Sequence, residues 1–301
     1  MDLNMKQLML TLTLFISAFT LADSSAISQR IAGEMESRSN YFVITPHKPN
    51  YLLPVSYSMH TVDYQNVNSI AGSANDFEQQ NIEVKFQLSV KTPIWDKIYD
   101  SPFSLYFAYT QVSFWQAYNS EFSSPFRETN YEPEIFISWL GDIPIGDDWH
   151  LNVVDFSLVH QSNGRGGNIS RSWNRLSSNL IFANQNKAFI FHPWYRIPED
   201  DQVAGEPLDP SLDNNPDISD YMGHGEMLFI YKYDNSTFSF KSRNNLESNF
   251  SQGTVEASWS FPIHNKMKGY VQVFSGYGQN MIEYSMHNTA IGIGFSLTDW
   301  L

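Results

Sequence analysis

The sequence predicts an all-β fold: a transmembrane antiparallel β-barrel of about twelve strands, spanning residues 51–301. Three observations predict it. Apolar and polar residues alternate with period two along most of the chain, while helical periodicity is hardly visible. Long polar connections alternate with short turns. The last alternating run closes the chain, with Thr289, Ile291, Ile293, Phe295 and Leu297 on one parity and Ala290, Gly292, Gly294 and Ser296 on the other. A soluble β-sandwich also alternates. The barrel is favoured by that terminal strand, by Trp115, Trp139, Trp149, Trp173, Trp194 and Trp300 at strand ends, and by an export signal in a chain without Cys.

The export signal occupies 1–22. Lys6 gives a basic start, residues 8–21 are apolar apart from Thr and Ser, and cleavage is expected near Ala22 or Ala26. The apolar run is too short for a spanning helix, which needs about 20 residues. Residues 23–50 show no strong period and read as an extended N-terminal arm, with Pro46 and Pro49 breaking regularity. The first regular strand places Ile82, Val84, Phe86, Leu88 and Val90 against Glu83, Lys85, Gln87 and Ser89. Further strands are expected at 105–115, 131–140, 151–162, 173–182, 187–196, 227–233, 237–241, 255–261, 270–277 and 289–297. Residues 66–80, 122–130 and the acidic 198–220 read as polar connections.

A net charge of −14 argues against nucleic acid as a partner, because phosphate binding needs a basic patch. With no Cys, the chain lacks thiolate nucleophiles, disulfides and Cys-held metals. His47, His60, His150, His192, His224, His264 and His287 show no paired metal spacing and read as interfacial or loop residues.

Strand parity singles out one stretch, 160–176. Along 151–162, Val154, Phe156 and Leu158 share a face with His160 and Ser162, opposite Asp155 and Ser157. In a barrel with a polar interior that face meets lipid. On the next strand Asn174 shares its parity with Leu176, Leu180 and Phe182. The connection between the two is short enough to make them neighbours. Three polar groups thus converge on the outside of the barrel. Ser162 is a weak nucleophile until a base takes its proton, and His160, two residues away, is a candidate base. Asn174 can accept from the other imidazole nitrogen. An Asp would do so more strongly, but an ionised group facing lipid is costly, so a neutral orienter suits this address. The residues alone leave a second reading open, in which His160 and Ser162 are polar residues at the barrel rim.

The stretch His160–Arg165 followed by Ser170–Leu176 (Ser-Arg-Ser-Trp-Asn-Arg-Leu) resembles the signature of the outer membrane phospholipase A family. Further matching blocks are 123–133 (Ser-Ser-Pro-Phe-Arg-Glu-Thr-Asn-Tyr-Glu-Pro), 215–218 with 221–223, and 272–278. The resemblance implies a twelve-stranded bacterial outer-membrane barrel. It implies calcium-dependent hydrolysis of phospholipid and lysophospholipid acyl esters by a homodimer. By the same resemblance Ser162 is the nucleophile, His160 the base, Asn174 the orienter, and the Gly164 N–H part of the oxyanion site. The implied calcium ligands are the Ser170 hydroxyl and the carbonyls of Arg165 and Ser123, with Ser123 supplied across the dimer. Two positions depart from the pattern. Asn214 stands where the family has an Asp of a second calcium site, with Asp213 beside it. Gln161 replaces an Asp between His and Ser, and its parity points inward. The alternative remains a porin-like or structural barrel without catalysis.

Overall fold

The computed structural model describes residues 26–38, 40, 43–60, 79–203, 209, 212–246, 250–264 and 267–300. The expected export signal and most of the connection at 66–80 lie outside these residues.

A two-residue strand β1 (Thr45–Pro46) precedes β2 (Asn50–Ser58), β3 (Ile82–Trp95), β4 (Phe103–Trp115), β5 (Phe126–Ile145), β6 (Trp149–Ser162) and β7 (Ser172–Asn184). Then follow β8 (Lys187–Ile197), β9 (Gly225–Tyr233), β10 (Ser236–Asn244), β11 (Gly253–His264), β12 (Met267–Gly276) and β13 (Asn288–Thr298). From β2 to β13 each strand pairs antiparallel with the next, and β13 pairs back onto β2. The result is a closed twelve-stranded barrel with no free edge, so the backbone of the spanning segments finds its partners within the sheet apart from local bulges. The short turns (for example between Asn184 and Lys187) all lie at one end, and the long connections at the other. The longer loops of such barrels face outward from the cell.

The expected parity holds. Ile135, Ile137, Phe156, Leu158 and Leu176 are exposed on the outer face, Phe156 by 61%. Glu134, Ser138, Asp155 and Ser157 are buried in the lumen. The lumen holds paired charge beside small aromatic clusters such as Tyr106 stacked on Phe136. Arg127 donates to Glu83 (2.7 Å) and Glu283 (2.6 Å), and Arg175 to Glu132 (2.7 Å). Removing one partner of a buried pair of this kind costs about 3–5 kcal/mol.

Three expectations need correction. First, the arm expected to be extended contains a helix, α1 (Ala26–Arg38). Its Ala, Gln, Arg, Glu and Met residues are good helix formers. Arg30 donates to the carbonyls of Asp299 and Trp300, and Glu34, one turn on, pairs with Lys91. Second, the polar segment 122–130 is not all connection, since β5 starts at Phe126. A register shift opposite Phe114 and Trp115 makes Arg127 the extra residue of a bulge, and Arg127 and Glu128 are both buried. Their polarity suits a polar lumen as well as a loop. Third, His192 is a lumen residue on β8, 3.6 Å from Glu226, whereas His47 lies in the connection between β1 and β2 as expected, with its ring buried 3.6 Å from Glu134. Trp173 and Trp194 stand near strand ends, as expected, and point inward. With Ile218, Met222, Met281 and Tyr284 they form an apolar cluster at the long-loop end, helped by a short helix α2 (Ile218–Met222).

Candidate active site

His160 and Asn174 are directly opposed in the β6–β7 ladder, and both side chains project outward. His160 Nδ1 lies 2.9 Å from Asn174 Oδ1. Since the amide oxygen only accepts, this contact puts the proton on Nδ1 and leaves Nε2 free to accept one. Ser162 is two residues further along the same face, flanked by Tyr131 of β5 and Ser172 of β7. Among the described residues no hydrogen bond joins Ser162 to His160, a looseness common in sites without substrate. Gln161, as its parity required, turns inward and accepts from Trp173 Nε1 (2.8 Å) and Arg175 (3.2 Å).

The Asn174 amide has a second partner that lay outside the expected set. Its Nδ2 donates to Glu199 Oε1 at 2.8 Å. Glu199 follows Ile197, the residue opposite Asn174 in the β7–β8 ladder. In the sequence it is the first of a run of acids in a long loop, which gave no signal of a specific contact.

The β6–β7 loop is built around Asn163, another residue the sequence reading passed over although it lies inside the signature. Its Nδ2 donates to Ile169 O (2.8 Å), while its Oδ1 accepts from the backbone N–H of Arg165 (3.2 Å) and Arg171 (3.0 Å). One buried amide thus holds the loop closed. Gly164 adopts φ +64°, and a Cβ there would lie 2.9 Å from the Tyr131 ring. Both the conformation and the space demand glycine. The Arg165 guanidinium reaches across and donates to Phe126 O (3.1 Å) and Arg127 O (2.9 Å), tying this loop to the start of β5.

Ser170 is buried, and its Oγ accepts from Asn214 Nδ2 at 3.0 Å. Asn214 Oδ1 in turn accepts from Ser172 N at 3.1 Å. Beneath the loop Glu128 is fully buried, 4.0 Å from Arg165 Nε, and its Oε2 has no hydrogen-bond partner among the described residues. Ser123 stands on the neighbouring β4–β5 loop, exposed, with φ +58°. The oxygens offered by Ser170, Arg165 and Ser123 are hard, neutral donors. This donor chemistry fits calcium rather than a softer metal.

Beside His160 an open groove of about 430 Å³ runs along the outer face, lined by Phe107, Pro133, Ile135, Leu158 and Ile197. An apolar groove next to a His–Asn pair on the lipid side of an outer-membrane-type barrel is where an acyl ester would be met.

The family described as Phospholipase A1 matches residues 27–297. The chain belongs to the phospholipase A1 family. It is 36% identical to Phospholipase A1 of Escherichia coli (strain K12) over 271 residues, covering 89% of this chain and 86% of that protein. It is 37% identical to Phospholipase A1 of Proteus vulgaris over 269 residues, with the same two coverages. Its fold matches the outer membrane phospholipase A from Escherichia coli with a TM-score of 0.78, over 90% of this chain and 98% of that one, at 36% identity. It also matches a Salmonella typhi outer membrane phospholipase dimer with bound calcium, with a TM-score of 0.75, over 86% and 94% of the two chains, at 36% identity. This phospholipase hydrolyses phospholipids and resides in the outer membrane. The barrel alone does not choose between enzyme and porin; the family does.

Proposed function

We propose that this phospholipase cleaves acyl esters with a Ser162–His160–Asn174 triad on its lipid-facing surface, and that it requires calcium and a second copy of itself. The contact between His160 Nδ1 and Asn174 Oδ1, at 2.9 Å on the outer face, carries the reading. Ser162 Oγ attacks the ester carbonyl while His160 Nε2 takes its proton. The Gly164 N–H, presented by the left-handed turn, donates to the oxygen that becomes negative. The imidazolium then gives its proton to the departing lysophospholipid alcohol. Water, activated by the same His160, releases the fatty acid from Ser162 and restores the hydroxyl.

The Ser170 hydroxyl and the Arg165 and Ser123 carbonyls would hold the calcium ion, which would supply positive charge that favours the developing oxyanion. Asn214 sits against Ser170 and is the further candidate oxygen at a second cation position. The calcium-bound dimer among the relatives supports both requirements. So does the exposure of Ser123, which leaves its carbonyl accessible to a second copy. The groove beside His160 is suited to one acyl chain of either a phospholipid or a lysophospholipid.

The test is fatty-acid release from phospholipid in detergent micelles, with calcium and with a chelator. Activity abolished by the chelator and by Ser162→Ala is expected. Full activity in Ser162→Ala sinks the nucleophile assignment.

A further inference from the structure

We propose that Glu199 is a positioning residue for the hydrolytic reaction, acting through Asn174; the proposal rests on the triad assignment above. An amide side chain has two ends of nearly the same shape. If Asn174 turned over, its NH2 would face His160 Nδ1, which would then have to accept, and the ring proton would move to Nε2. That tautomer cannot take a proton from Ser162. Something must therefore hold the amide one way round, and the imidazole, able to donate or accept, cannot do it.

Glu199 can. An ionised carboxylate only accepts, so the 2.8 Å contact to Asn174 admits the NH2 and repels the amide oxygen. With Nδ2 held by Glu199, Oδ1 is directed to His160 at 2.9 Å. The carboxylate also polarises the amide along the chain, strengthening Oδ1 as an acceptor.

Its location explains why the charge stands one hydrogen bond removed. Asn174 lies on a strand face that meets lipid, where an ionised group is costly. Glu199 lies two residues beyond the end of β8, in the long loop at the aqueous rim, and is half-buried. The loop that carries it leaves the barrel at Ile197, the residue opposite Asn174. The negative charge that serine hydrolases place directly on the histidine is thus supplied here from the water side, through a neutral relay.

The experiment is a double-mutant cycle on the purified full-length enzyme in calcium-containing micelles, following kcat, KM and the inactivation rate of Ser162 by a long-chain sulfonyl fluoride. Glu199→Ala is expected to lower kcat and the inactivation rate by about 5–20-fold, with KM and the heat-modifiable migration of the folded barrel unchanged. Glu199→Met, of similar length without an acceptor, is expected to do the same and serves if the alanine variant does not fold. In an Asn174→Ala background the Glu199 substitution is expected to have no further effect. An equal loss in both backgrounds shows a structural role and overturns the proposal, as does full activity of Glu199→Ala beside an impaired Asn174→Ala. An Asn174→Ala enzyme with undiminished kcat removes the triad assignment, and this proposal with it.

Discussion

His160 and Asn174 face each other across β6 and β7 with Nδ1 and Oδ1 2.9 Å apart, on the side of the barrel that meets lipid. The pair needs no neighbouring charge on the strand, and it selects the tautomer that leaves Nε2 free. Asn174→Ala is expected to lower kcat by about 10²-fold, and His160→Gln by about 10³-fold or more, with little change in KM. Steady-state kinetics on folded protein checks this. A KM effect with intact kcat would assign both residues to binding instead.

Gly164→Ala combines a left-handed backbone with a clash on Tyr131. The backbone alone is expected to destabilise the loop by about 1–2 kcal/mol. Because the turn also aims the Gly164 N–H, kcat is expected to fall by about 10²-fold. The companion variant Gly164→Ala/Tyr131→Ala removes the clash but not the φ requirement. It is expected to recover little activity.

Ser170→Ala deletes the only side-chain oxygen of the proposed calcium set. Half-maximal activity is expected at a calcium concentration about tenfold higher, equivalent to about 1.4 kcal/mol. Titrating chelated enzyme with calcium measures it. An unchanged requirement would place the ion elsewhere.

Dimerisation is expected to follow occupancy of the site. Cross-linking should give more dimer when Ser162 carries a long-chain sulfonyl group and calcium is present, since the acyl groove and Ser123 both lie on the outer surface. An unchanged dimer fraction counts against a shared site. Leu158→Arg, on the same face, is expected to weaken the dimer, though a basic residue facing lipid also costs the monomer up to about 2–4 kcal/mol.

Burial, and to a lesser degree the Asp217 carboxylate that its hydroxyl donates to, push Tyr284 well above the ordinary tyrosine range. Folding therefore favours the neutral phenol. The contribution is fully present below about pH 10, the unfolded value, and declines as pH rises towards the raised folded value. Tyr284→Phe is expected to flatten the fall in thermal stability above that pH. Melting curves between pH 8 and 11 compare the two. A slope identical to that of the parent would exclude Tyr284 as the titrating group.

Much of the barrel was legible because its rule is local. A residue such as Phe156 or Asp155 declares its face by parity, and the closing strand 289–297 repeats that declaration to the end of the chain. The same parity placed His160, Ser162 and Asn174 on one side, and the flanking motif carried the family. Helix α1 was missed because thirteen residues touching the barrel through Arg30 and Glu34 need no apolar stripe. The start of β5 was missed because Arg127 and Glu128 have the composition of a loop and the burial of a lumen.

By itself, then, the sequence determined the sidedness of each strand and the residue types of the proposed triad, since both follow from period and identity within a few positions. The tertiary structure alone decided the rest. Asn163 closes its loop on backbone groups six and eight residues away, and Glu199 meets Asn174 only after a whole strand hairpin has returned. Trp173 and Trp194 leave the surface to cap the lumen, because the loops bring Ile218 and Met281 to meet them. Such contacts depend on chain closure in three dimensions, and no local pattern encodes them.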